Sequence, residues 1–179
     1  MSVKIKFVLL LLFPVLSYSQ DTSLSKTFPL KDNKVVFEKI DSTNKTAEEI
    51  YSQSKVWLAN AFVSSNDVIQ LDDHNSKIIG KGLFKFENKG GGSLGDITTF
   101  FTIDISIKEN KYRIRLYDYL ITNSNTTDNK TPIEQLHKRT YTGLSKKYFI
   151  NAENKIKEES ENIILSFSNA INKKPEDVF

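Results

Sequence analysis

Arg113, Arg115, Tyr117 and Tyr119 occupy every second position of one stretch, so a β-strand there places two guanidinium and two phenol groups on one side. Such a surface pairs with carboxylates or phosphates and stacks on flat groups. These four are the candidate binding residues. The chain holds two histidines and no cysteine, so thiol chemistry and disulfides are excluded. His74 falls in Asp72-Asp73-His74-Asn75, which reads as a turn because Asp and Asn hydrogen-bond their own backbone. Four consecutive residues cannot all converge on one ion, and His137 lies in a basic, solvated stretch. Lys89 to Gly95 is Gly-rich, but a phosphate loop needs a strand before it and a helix after it. Here a strand follows, and a hairpin loop is the reading. Asp72, Asp73 and Asp104 are the acids from which a hydrolytic pair could be drawn, although no spacing brings them together. The sequence therefore predicts no catalytic residue, no metal site and no cofactor.

Position in the cell is the most legible property. Lys4 and Lys6 precede an apolar run from Phe7 to Leu16, and Ser17-Tyr18-Ser19 supplies small residues before the polar Gln20-Asp21. This is the layout of a secretory signal, with cleavage expected near Ser19-Gln20 and a periplasmic or secreted product. The apolar run has ten residues and contains Pro14, short of the roughly 20 that span a bilayer. No transmembrane span is expected after cleavage, and there is no cysteine to carry a lipid. Lys4 and Lys6 account for two of the three net positive charges of the 179-residue chain. A mature protein of about 160 residues is thus nearly neutral, which disfavours nucleic acid as a partner. That length suits a single domain held by its core alone.

The organisation expected is a signal peptide (1–19), a flexible lead-in (20–33), one domain (34–172) and a tail (173–179). Val35, Val36, Phe37 and Ile40 suggest a strand at 34–40. Thr46-Ala47-Glu48-Glu49 is a capping box, and apolar residues behind it recur at helical spacing over 47–63. Strands follow at 68–71 and 77–87. Over 98–108, Phe101, Ile103, Ile105 and Ile107 alternate with Thr102, Asp104, Ser106 and Lys108. Glu109-Asn110-Lys111 connects this to 112–122, where Tyr112, Ile114 and Leu116 alternate with Arg113, Arg115 and Tyr117. A polar loop covers 123–130. Thr131-Pro132-Ile133-Glu134 predicts a short helix at 132–138, and an apolar stripe from Ile156 to Ile171 predicts a helix at 153–172, ended by Pro175. One-sided alternation means that one sheet face is covered by the two helices and the other is open and polar.

Trp57-Leu58-Ala59 and Ile79-Gly80-Lys81-Gly82, within the run from the first helix to "SSNDVIQLDDHNSKIIGKGLFKF", resemble a bacterial envelope family of unknown function with a TATA-box-binding-protein-like (TBP-like) fold. The resemblance spans about residues 34–122. It implies an α+β, two-layer domain: a curved antiparallel five-stranded sheet in the order β-α-β-β-β-β-α, with the two helices on its convex face. It supplies no functional residues. The expected function is a non-enzymatic binding module that meets an envelope protein, a glycan or a small molecule through the open sheet face. The alternatives are an envelope hydrolase using the carboxylates above, and a protein holding a small apolar ligand between sheet and helices.

Overall fold

The computed structural model describes residues 27–62, 69–88, 95–123, 129–136 and 143–173. In chain order its elements are β1 (Leu30–Lys31), β2 (Lys34–Val35), β3 (Phe37–Ser42), α1 (Ala47–Ala61), β4 (Ile69–Asp73), β5 (Lys77–Glu87), β6 (Asp96–Lys108), β7 (Lys111–Asn123), β8 (Thr131–Pro132), α2 (Ile133–Leu136) and α3 (Gly143–Asn172). The segment expected to be a signal peptide (1–19), most of the Gly-rich loop, His137 and the tail beyond Lys173 lie outside the described residues.

The strongest alternation in the sequence forms the centre of the sheet. β6 and β7 make the long hairpin, closed at Lys108↔Lys111, with Asn110 in the left-handed conformation (φ 58°). β3, β7, β6, β5 and β4 lie side by side in that order, all antiparallel. These are the five strands expected. The two-residue β8 adds a sixth, pairing with Leu120 and Ile121 beyond the end of β3. The inward positions of the sheet, among them Ile78, Ile103, Ile105, Ile114 and Leu116, are fully buried with Ile50 and Leu58 of α1 and Ile156, Phe167 and Ile171 of α3. Both long helices therefore cover one face.

α1 begins where the capping box predicts. The Thr46 hydroxyl accepts from Glu49 N–H at 3.2 Å, and the Glu49 carboxylate accepts from Thr46 N–H at 2.8 Å. Thr46→Ala should lower stability by about 1 kcal/mol, which urea unfolding will measure. The second pattern of this kind works differently. Glu134 Oε1 accepts Val35 N–H at 3.0 Å, so the carboxylate ties α2 to β2 across the fold.

Three boundaries differ from expectation. α3 starts at Gly143 rather than 153, because buried Tyr148 and Ala152 extend the stripe of Ile156 by whole turns. The segment before residue 34 is not a loose lead-in over its described part. Phe28 is buried against Phe37 at 6.2 Å, and Asp32-Asn33, both with positive φ, close the β1–β2 hairpin. Finally, β4 runs on to Asp73, so Asp72 and Asp73 belong to a strand rather than a turn.

Candidate binding face of the sheet

Because strand residues alternate sides, register assigns the uncovered face. Glu38 and Ile40 on β3 pair with Arg115 and Arg113 on β7, which pair with Asp104 and Ser106 on β6. These pair in turn with Ile79 and Lys77 on β5. Toward the far end, Tyr117 pairs with Thr102, and Thr102 with Lys81. The face is less uniformly polar than expected: Ile40, Leu71 and Leu83 are exposed on it. Lys130 lies 4.0 Å over the ring of Phe100.

Asp104 organises this surface. It sits at the middle of the uncovered face, yet its side chain is 1% exposed. Arg115 Nη2 donates to Asp104 Oδ2 at 2.5 Å, Ser106 Oγ donates to Oδ1 at 3.1 Å, and Lys77 Nζ is 3.7 Å from Oδ2. Burial alone would push this carboxyl up. The Arg115 hydrogen bond and charge, with Ser106 and Lys77, outweigh burial and hold it below the usual carboxylate range. Asp104 fixes Arg115, whose guanidinium carbon lies 5.3 Å from the centre of the Tyr117 ring. Arg113 is less engaged: Nη2 donates to Ser106 Oγ at 3.0 Å, and its Nε is 4.0 Å from Glu38, which is equally far from Arg115 Nε.

Of the four candidate residues, Arg113, Arg115 and Tyr117 share this face, and Tyr119 does not. Between the pairs Phe100↔Leu120 and Thr102↔Tyr117, Phe101 stands alone on β6 against Asp118 and Tyr119 on β7. This β-bulge inserts one residue, and Asp118 takes it up with a positive φ of 53°. The side-chain period of two is thereby reset. Tyr119 turns inward, 1% exposed, stacks on Phe101 at 5.9 Å and donates to Ser160 Oγ on α3 at 2.8 Å. Burial pushes its phenol well above the usual range.

The acids considered for hydrolysis are dispersed. Asp72 faces the helices, bonded to Tyr51 Oη at 2.9 Å and Lys55 Nζ at 2.6 Å on α1. It is on the opposite side of the sheet from Asp104, so these two cannot form a pair. Asp73 is engaged by the Ser76 hydroxyl. His74 packs edge-on against Tyr51 at 4.6 Å. Among the described residues no group of three His, Cys, Asp or Glu is placed to hold a metal ion. A hollow of about 560 Å³ does occur where the β1–β2 hairpin meets β3 and α3, walled by Pro29, Leu30, Ile164 and Leu165. Deeper, between sheet and helices, Phe37, Phe101, Tyr112, Tyr119 and Phe167 are packed in edge-on or stacked ring contacts.

An antiparallel sheet with two long helices on one face and, among the described residues, the other face bare is an α+β domain of the TBP-like class. Residues 37–121 match the family model DUF4468, a domain of unknown function with TBP-like fold, as the sequence resemblance implied. A crystal structure of a DUF4468 family protein from Bacteroides ovatus is similar at a TM-score of 0.66 and 18% identity, over 89% of this chain and 99% of that one. A TBP-like protein from Parabacteroides distasonis is similar at a TM-score of 0.62 and 13% identity, over 81% of this chain and 97% of that one. At such identities the likeness is one of fold. No curated protein matches.

Proposed function

We propose that this protein is an exported, non-enzymatic binding module whose open sheet face takes an anionic partner. The observation that carries the reading is the buried Asp104 beneath Arg115. A buried ion pair is a poor device for stability, since apolar side chains of similar volume often serve as well or better. It is an effective device for holding a guanidinium in one orientation. Arg113 and Lys81 flank this fixed centre, with Lys81 Nζ bonded to Thr102 Oγ1 at 2.5 Å. Cations outnumber carboxylates among the described outward positions, although the chain freed of its N-terminal lysines is nearly neutral. A small excess of positive charge thus lies on the bare face. The basic, apolar and small-residue layout of residues 1–19 supports export.

Lys81→Glu/Arg113→Glu reverses two charges while leaving the Asp104–Arg115 pair in place. With an acidic oligosaccharide and an acidic peptide as probes at low salt, the variant should bind at least tenfold more weakly than the wild type. Equal binding by the variant, or no retention of either probe by the wild type, sinks this reading.

A further inference from the structure

At the closed end of the β6–β7 hairpin the open face dips into a hollow of about 430 Å³, lined by Ile40, Ser106, Lys108, Lys111, Tyr112 and Arg113. Three of these six carry positive charge and none carries a carboxylate. The nearby acids stand outside the lining. The Glu109 carboxylate accepts Ala47 N–H at the start of α1 at 3.0 Å, and Asp41 pairs with Lys39 at 3.1 Å and accepts from the Tyr112 hydroxyl at 3.4 Å. Glu38 lies 4.0 Å from Arg113 Nε, and Asp104 is bound to Arg115. Lys108 and Lys111 are direct cross-strand partners. Like charges placed opposite each other destabilise a hairpin, and an anion between them converts that repulsion into attraction. Ser106 fixes the third cation: its oxygen accepts from Arg113 while its hydrogen goes to Asp104. Ile40, 54% exposed, provides an apolar wall.

Resting on the open-face reading above, we propose that this hollow binds the phosphoryl group of a phosphate ester, with the ester's carbon skeleton against Ile40. Two ammonium groups act as point charges and the guanidinium as a fork. Three cations converging on one hollow suit a tetrahedral dianion better than a planar carboxylate. The volume suits a small molecule. A soluble phosphomonoester and a phospholipid headgroup present the same chemistry.

Calorimetry and ¹⁵N amide shifts with inorganic phosphate, glycerol 3-phosphate, citrate and phosphatidylglycerol vesicles test this, with phosphatidylcholine vesicles as the neutral control. Saturable binding of glycerol 3-phosphate should shift Ser106, Lys108, Lys111 and Arg113, and weaken at least tenfold in Lys108→Ala/Lys111→Ala. Binding should be unchanged in Lys85→Ala, whose lysine pairs with Asp96 at 2.9 Å. The double variant should melt no lower than the wild type, because it loses a like-charge pair. Binding to phosphatidylglycerol but not phosphatidylcholine vesicles, lost in the same variant, assigns the headgroup. Binding of glycerol 3-phosphate alone assigns a soluble ester. No saturable binding, equal binding by the double variant, or tighter binding of citrate overturns the proposal. If the acidic probes still depend on Lys81 and Arg113 while Lys108→Ala/Lys111→Ala changes nothing, the hollow fails and the open-face reading stands.

Discussion

Asp104→Ala should lower the unfolding free energy by about 3 kcal/mol at neutral pH, because it strands Arg115 in a half-buried position without its partner. The figure lies at the lower end for a broken buried pair, since the Arg115 side chain is 25% exposed and can turn toward Glu38 and water. Arg115→Ala should also destabilise, but less, because Ser106 and Lys77 still serve the carboxylate. The pH dependence has a definite sign. A carboxyl whose value is lower in the fold contributes its full stability above its ordinary value of 3.8 and loses it as pH falls through the lower folded value. The gap between wild type and Asp104→Ala should therefore be constant down to about pH 4 and close below it. Glu153 on α3 has the opposite sign. Burial pushes it up to about 7, so its contribution is complete below its ordinary 4.5 and is lost as pH rises through 7. Being common to both proteins, it cancels in the difference. Urea midpoints across this range will check both statements.

The second large effect is at the bulge. Phe101, 1% exposed, touches Tyr119, Phe62 and Phe84, and stands opposite Gly82. Phe101→Ala should cost about 3–5 kcal/mol through lost burial and the cavity it leaves. Gly82 lets that ring lie flat on β5. A Cβ there would come within 2.5 Å of Phe101 Cζ and 3.0 Å of Phe62 Cε1. Gly82→Ala should accordingly cost about 1–3 kcal/mol by overpacking. The two effects are coupled. Once the ring is gone, the methyl group fills space instead of clashing, so the double variant should be more stable than the sum of the singles implies by about 1 kcal/mol or more. Strict additivity in a double-mutant cycle would mean that the Gly82–Phe101 approach does not constrain the core.

These two sites also show where sequence reading succeeds and fails. The hairpin, both helix stripes and the Thr46 capping box are legible because each rests on local periodicity or a fixed spacing. A period-two pattern carries no mark of an inserted residue, so alternation alone puts Tyr119 on the wrong face. Asp118 looks like any polar strand residue until its backbone is seen at positive φ. Alternation places Asp104 on the uncovered face, but its burial is not legible in the sequence. It comes from the long side chains of Arg115 and Lys77, on two other strands, folding over it. Phe28 is one apolar residue in a polar stretch, with no repeat to reveal that it enters the core. Of the site, Arg113, Arg115 and Tyr117 could be named from alternation alone. The hollow could not, because Ile40 reaches it from β3, whose register against β7 is set by the folded sheet.

The central claim, that the bare face of the sheet is the binding surface, is tested most directly by mapping amide shifts on ¹⁵N-labelled protein titrated with the acidic oligosaccharide. The account predicts that the shifts concentrate at Lys81, Thr102, Ser106, Arg113 and Tyr117, with the outward surfaces of α1 and α3 unchanged. Shifts confined to α1, α3 or the β1–β2 hairpin, with the sheet face silent, would contradict it.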